Sequence, residues 1–421
     1  MSPVVSIRWS KRQWGALLVM VNVAACVSRS ADAPTRHLEA APVERPLRFE
    51  PSVLEAADFG ADGADEQDDT AAIQSAVTAA QAIPGARVQL AAGVFYLSDV
   101  NPHDQVCLGI VGARGLTLQG AGAGSTRLVL RSKPDAHVLS IAGSESVRVS
   151  DLSIDGTRMG RRGTHGIRVA DSTGITLRSL EIHSVAHYGI GLQRGVVRGI
   201  SIEGVQIDDT GGDGVDFKNT AAQNDEIVIE DVRVSRPGQT SPRQAGLDIR
   251  GRARLSNVEV SHVPAGATGI RFREDGPDTG PGGHGSYLSG FAVTGAPGSI
   301  GVAIAANDVR VSDGSVVGTD TGVDILGDRA RVSSVLVRGA RYAFRIEVAA
   351  QQTFLQGCRG ESSRAGVWVE GKSTQISRSI FQRNERCGVC LRPGSLGTHL
   401  ADNELAGNGK TVEDDAGNAG E

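Results

Sequence analysis

Apolar residues recur in a fixed frame along most of this 421-residue chain. Gly214-Val215-Asp216-Phe217-Lys218 shows the frame: a glycine, apolar side chains at the first and third places after it, and the second and fourth places left open. The frame returns as Gly166-Ile167-Arg168-Val169, Gly189-Ile190-Gly191-Leu192, Gly246-Leu247-Asp248-Ile249, Gly269-Ile270-Arg271-Phe272 and Gly301-Val302-Ala303-Ile304. It continues as Gly322-Val323-Asp324-Ile325, Ala343-Phe344-Arg345-Ile346, Gly366-Val367-Trp368-Val369 and Gly388-Val389-Cys390-Leu391. Copies start about 21 to 25 residues apart, with two intervals of about 32. Such alternation belongs to a strand with one packed and one open face.

A second pattern lies between the glycine strands: two apolar alternations separated by two residues. Ile175, Leu177, Leu180 and Ile182 show it, as do Ile200, Ile202, Val205 and Ile207, Ile227, Ile229, Val232 and Val234, and Leu255, Val258 and Val260. Each unit is therefore about three short strands with tight turns and no helix. A repeat of this period is one structural unit stacked on itself. Three strands per turn, stacked in register, make an all-β parallel β-helix whose turns lie roughly 4.8 Å apart. About a dozen turns would give a rod of about 60 Å. A leucine-rich horseshoe shares the period, but its Leu-and-Asn skeleton is missing.

Composition changes this picture little. Glycine is abundant at 55 residues and aromatics make up only 4%, which suits many turns around a narrow core. A net charge of -5 argues against a nucleic-acid binder. The first residues read as a targeting signal: Arg8, Lys11 and Arg12, then an apolar run from Trp14 to Ala25 too short to span a bilayer. The run ends Val23-Ala24-Ala25-Cys26, which resembles the bacterial lipoprotein box. That resemblance implies lipidation of Cys26, membrane attachment through the lipid and a place in the bacterial cell envelope. Residues 27–50 read as a flexible tether, 51–100 as a cap with a helix and first strands, 101–402 as the β-helix and 403–421 as a polar tail.

The cap carries the most specific motifs: Ala57-Asp58-Phe59-Gly60-Ala61-Asp62-Gly63, Asp68-Asp69-Thr70-Ala71-Ala72-Ile73-Gln74, and Val88-Gln89-Leu90-Ala91-Ala92-Gly93-Val94-Phe95-Tyr96. Together with the repeats it resembles the pectate-lyase-like superfamily, single-stranded right-handed parallel β-helices with a cap of the pectate lyase 3 or rhamnogalacturonase type. Independently of that resemblance, Asp68 or Asp69 suits the start of a helix near Thr70. Ile73, Ala76, Val77 and Ala80 share one face of that helix, which would cover the open first turn. The acidic cluster Asp58, Asp62, Asp65, Asp68 and Asp69 reads as loop and cap residues, not as a metal site.

Stacking places like positions above one another. One outward column then holds Asp216, Asp248 and Arg271, and the next Lys218, Arg250 and Arg273, with Ala303 and Ala305 closing the run. Asp213 adds a carboxylate; His187 and Tyr188 precede the glycine of the neighbouring turn, and Gln193 follows it. The two long intervals flank this patch, with insertions at about 236–244 and 274–287, the second holding Gly282-Gly283-His284-Gly285. Excursions of that kind usually carry function, since the coil does not need them.

The resemblance implies an acidic, uronate-containing polysaccharide lying along one sheet. In β-elimination, cations or calcium neutralise the sugar carboxylate and a basic side chain removes the neighbouring proton. By position, the alginate-lyase and chondroitinase-B branch implies Lys218 as base and Arg250 as acid or charge stabiliser. Hydrolysis would use Asp213, Asp216 and Asp248, and a uronate epimerase shares the proton abstraction. Arg271, Arg273, His187, Tyr188, Gln193 and His284 are the expected substrate contacts. No cofactor is firmly implied; calcium is the candidate ion. A non-catalytic glycan-binding surface protein is the reading from another class. Asn101-Pro102-His103-Asp104 is similar to the Asp-Pro-His-Asp motif of epimerases, but it precedes the repeats and reads as a loop. Cys387 and Cys390, on one extended strand, would stand about 10 Å apart, too far to bridge each other. Trp368 and Tyr342 lie outside the charged turns.

Overall fold

The structure, a computed structural model, describes residues 52–131, 136–157, 164–193, 195–218, 227–240, 243–274 and 282–417. Cys26 and the whole of the expected leader and tether lie outside the described residues.

Each coil contributes one strand to a thirteen-stranded parallel sheet that runs from Val106–Val111 to Lys410–Asp414. This is the site sheet. The ten glycine-frame segments are ten successive strands of it, from His165–Ala170 to Cys387–Leu391. Val106–Val111 and His137–Ala142 precede them without the glycine frame. A second sheet of nineteen strands closes the rest of the coil. The chain is thus a right-handed parallel β-helix, as the periodicity and the resemblance predict.

The two-residue gap in the second apolar pattern has a backbone cause. In Thr176–Val185 the residue after Arg178 is Ser179, at φ 51°. A left-handed residue turns the strand and resets its alternation, so Leu177 and Leu180 both point inward and are 0% and 1% exposed. Asp231, Asn257, Asp313 and Ser334 do the same in later coils, at φ between 51° and 55°. Short polar side chains tolerate this region best.

The glycine of the frame answers a packing demand instead. A Cβ on Gly214 would lie 2.6 Å from both the Gly246 carbonyl oxygen and Val234 Cγ1. Glycine there lets the site sheet close down onto the valines of the second sheet. Ile190, Val215, Phe217, Leu247, Ile249 and Ile270 are fully buried in consequence, each such side chain stabilising the fold by about 1.5–3 kcal/mol.

Helix α1, Thr70–Gln81, covers the first coil, with Ile73, Ala76, Val77 and Ala80 buried. Its start is held by Asp68, whose Oδ1 accepts Thr70 N–H at 3.1 Å and Ser98 N–H at 2.9 Å. Asp69 accepts the N–H groups of Asp62 and Tyr96. These two members of the acidic cluster are cap ties, as expected. Gln74 behaves like a strand partner: its amide donates to the Gly109 carbonyl at 3.0 Å and accepts the Gly109 N–H at 2.7 Å. The edge of the first site-sheet strand is thereby closed.

Two expectations are corrected. The polar tail forms a further coil: Lys410–Asp414 pairs in parallel with Cys387–Leu391. One apolar residue, Val412, is too weak a strand signal, and ion pairs fasten the segment instead, Glu413 to Arg386 at 2.7 Å and to Arg392 at 2.9 Å. Cys387 and Cys390 form a disulfide, with Cα atoms 5.8 Å apart. Cys387 opens its strand where the chain turns in from the corner, so the three-residue step is not fully extended.

Candidate functional site

Registry brings the charged residues together as their spacing predicts. Asp216 lies beside Asp248 and Lys218 beside Arg250. Asp248 lies beside Arg271, which is followed in the column by Ala303. Depth is what spacing does not give. Asp213, Asp216 and Asp248 are 1%, 0% and 0% exposed. The outward face is layered, with short carboxylates at the bottom and longer cationic side chains folded over them.

The contacts are close. Lys218 Nζ is 2.8 Å from Asp216. Arg250 Nη2 lies 2.6 Å from Asp248 and 3.7 Å from Asp216. Arg271 and Arg273 reach the other Asp248 oxygen through Nε at 2.9 Å and 3.1 Å. Burial by itself would raise the Asp248 pKa, but Arg271, Arg250 and Arg273 together hold it below the usual carboxylate value. Asp216 goes the other way: burial outweighs Lys218 and Arg250 and raises it. Asp213 is pushed up to about 8 by burial, then by Asp248 and Asp216, despite a hydrogen bond from Ala245 N–H at 2.5 Å. The Gln244 side-chain amide lies against the same carboxylate and, with its oxygen and nitrogen exchanged, donates to it at 2.9 Å.

The first insertion explains why Asp213 is so deep. Gly238, Gln239 and Thr240 donate backbone hydrogen bonds to Gly212, Thr210 and Gly211, the corner just before Asp213. Of the second insertion, Gly283 N–H bonds the Arg273 carbonyl at 2.8 Å. His284 does not join the cluster: its Nδ1 accepts the Asn307 N–H at 2.8 Å and ties the insertion to the next coil.

Toward α1 the charged ladder meets an aromatic group. Tyr188 is 8% exposed and accepts a hydrogen bond from Lys218 Nζ at 3.4 Å. Burial, then Asp216 and Asp213, pushes its phenol pKa upward, so it stays protonated. His187 stacks on Tyr188 at 3.7 Å between ring centroids, and His165 stands 5.0 Å from Tyr188 and 4.5 Å from His137. Burial, and then the neighbouring His137, His187, Arg168 and Lys218, holds His165 neutral well below its usual range. Gly191 makes room for it, because a Cβ there would lie 2.6 Å from His165 Nδ1. Gln193 donates to Asp216 at 2.6 Å.

A cleft of about 440 Å³ is lined by His103, Asp104, Gln105, His137, His165, Arg168, His187, Tyr188, Gln193 and Lys218. Asn101-Pro102-His103-Asp104 is a turn, as expected, yet His103 and Asp104 reach the cleft. Asp104 and Arg168 also line an adjoining cleft of about 810 Å³ that extends to α1. Arg168 stands in the column of Asp216, two coils before the charge peak, while His137 and this loop precede the glycine-frame coils and escape the column reading. The loop's motif was the signal that could have found it.

Calcium does not fit the carboxylates. Oxygens of Asp213, Asp216 and Asp248 lie within 4.8 Å of one another, but Asp216 and Asp248 already face Lys218, Arg250, Arg271 and Arg273 at ion-pair distance. A cation among those groups would meet four positive charges.

No protein-family model matches the chain. It is similar to mannuronan C5-epimerase AlgE1 of Azotobacter vinelandii, 31% identical over 201 residues, which is 42% of this chain. The chain spans 14% of that relative's length. Among solved structures it resembles the A-module of mannuronan C-5 epimerase AlgE4 from Azotobacter vinelandii, with a TM-score of 0.58 and 19% identity over 85% of this chain and 97% of the other. It also resembles PfbA, a surface adhesin of Streptococcus pneumoniae, with a TM-score of 0.53 and 11% identity over 86% and 93%. At these identities the structural likeness speaks for the fold, and one fold serves both an enzyme and an adhesin.

Proposed function

We propose that this chain modifies a uronate-containing polysaccharide by removing and returning the proton next to the sugar carboxylate, that is, C5 epimerisation, with mannuronan as the first substrate to try. The observation that carries the reading is the cleft in which Tyr188, His187, His165 and Lys218 stand against the cationic ladder. A carbon acid needs its carboxylate neutralised, a base on the proton and an acid to return one. With Asp213 protonated, the four cations face two carboxylates, and the surplus positive charge draws a sugar carboxylate to the ladder. Tyr188, kept protonated by burial, serves as proton donor. The His187 imidazole serves as acceptor. Lys218, 2.8 Å from Asp216, is placed to hold an anion and to donate to Tyr188. Arg250 steadies the developing enolate charge. The partial similarity to mannuronan C5-epimerases supports this chemistry over the alternatives.

Burial of Asp213, Asp216 and Asp248 beneath cations speaks against a hydrolytic pair there, since such carboxylates must flank the scissile bond. Elimination shares the first step, and Lys218 stacked on Arg250 keeps that second reading alive. One experiment separates them. The protein is incubated with mannuronan in deuterated water. Deuterium at C5 with guluronate formed supports epimerisation, and ultraviolet absorbance of an unsaturated sugar supports elimination. Binding with neither outcome would leave a glycan-binding surface protein. Tyr188→Phe and His187→Gln are expected to abolish exchange; full exchange in both removes the assigned roles. We further propose that Cys26 carries the lipid that holds the protein at the cell envelope. Cys26→Ser is then expected to move it from the membrane fraction to the soluble one.

A further inference from the structure

The second sheet carries a groove that the cleft does not use. Tyr287, Arg310, Arg331 and Phe354 occupy one register position in four successive coils. Beside them a second row runs Ser312, Ser333, Gln356. Together they line a groove of about 680 Å³. The Arg331 guanidinium lies 4.3 Å from the Phe354 ring centroid, and Tyr287 Oη is 3.3 Å from Ser312 Oγ.

The ladder's arginines differ from several others on the same sheet. Several arginines of the second sheet face carboxylates: Arg178 with Glu203, Arg233 with Glu259 and Arg338 with Glu361. Among the described residues no carboxylate forms an ion pair with Arg310 or Arg331. Asp313 lines the groove near its corner without pairing to either. Arg310 and Arg331 leave neighbouring strands, whose backbones lie about 4.8 Å apart; two exposed cations on adjacent coils repel each other, and an anion between them would relieve the repulsion.

We infer that this groove is an accessory binding site for a short stretch of acidic polysaccharide, separate from the cleft on the site sheet. Guanidinium forks pair with carboxylates in two parallel hydrogen bonds. Tyr287 and Phe354, at the two ends, offer apolar faces to sugar rings. The row of hydroxyl and amide groups meets sugar hydroxyls. A nucleic acid would also accept arginines and aromatics, but the net charge of -5 disfavours it. That the ligand is the enzyme's own polyuronate rests on the proposed function; the recognition of an anionic saccharide does not.

The test is calorimetric titration of the full chain with an oligomannuronate, alongside C5 deuterium exchange on the same oligomer. Both arginines are exposed, so Arg310→Gln with Arg331→Gln leaves the core intact, which an unchanged melting curve verifies. In the double variant affinity at one class of site is expected to fall about tenfold or more, with exchange on short oligomers unchanged. Phe354→Ala is expected to weaken the same site without altering net charge. An isotherm identical to wild type in both variants overturns the proposal. So does a single-stranded DNA oligonucleotide that binds the arginine-dependent site more tightly than the oligouronate. Arginine-dependent binding with no exchange in any variant would sink the enzymatic reading and leave the groove standing.

Discussion

Asp213 is the residue whose charge the fold changes most. Burial, and then Asp248 and Asp216, raises it to about 8 from an ordinary 3.8. Between those values the folded protein holds a proton that the unfolded chain has released. Stability from this group is therefore full below about pH 4 and is lost as pH rises toward 8. Asp213→Asn is expected to flatten that part of the stability profile, measured as melting temperature against pH; an unchanged slope would remove Asp213 as its source. Asp248 behaves oppositely, as the shared counter-ion of Arg250, Arg271 and Arg273. Asp248→Ala leaves those cations crowded and unpaired. A loss of about 3–5 kcal/mol is expected, read from denaturant unfolding. The types and column positions of these residues were legible in the sequence. Their depth was not, because it depends on long arginines folding back over short aspartates.

At the scale of elements, the coil is held at its N-terminal end by a helix that imitates a strand. Gln74 exchanges two hydrogen bonds with Gly109. Gln74→Ala is expected to cost about 1–3 kcal/mol and to leave that edge unpaired, seen as a lower melting point and greater aggregation on heating. Gly246 is a sharper case, since a Cβ there would lie 2.5 Å from Val260 Cγ1 and 2.6 Å from the Gly269 carbonyl oxygen. Gly246→Val is expected to destabilise by more than about 2 kcal/mol through overpacking, with the melting midpoint as the measure. The glycine frame and the paired alternations made these strands readable. The last strand was not readable, because Lys410–Asp414 is fastened by Arg386 and Arg392 from earlier coils and by almost no apolar pattern of its own.

The whole molecule is a stack in which each coil touches its neighbours, so stability accumulates along one axis. Removing residues 403–417 strips Arg386 and Arg392 of Glu413 and uncovers the coil of Val389 and Phe381, both 0% exposed. Melting is expected to begin earlier while the cleft, several coils away, keeps its binding. The same stacking separates the two saccharide-sized features onto different sheets. By itself the sequence determined the repeat, the strand faces and the vertical registry, because a translational repeat turns spacing along the chain into position along the rod. Only the tertiary structure decided which charges are buried, which loop overhangs the cleft and that Cys387 reaches Cys390. Those outcomes depend on side-chain length, on corner geometry and on contacts between coils that no single repeat contains.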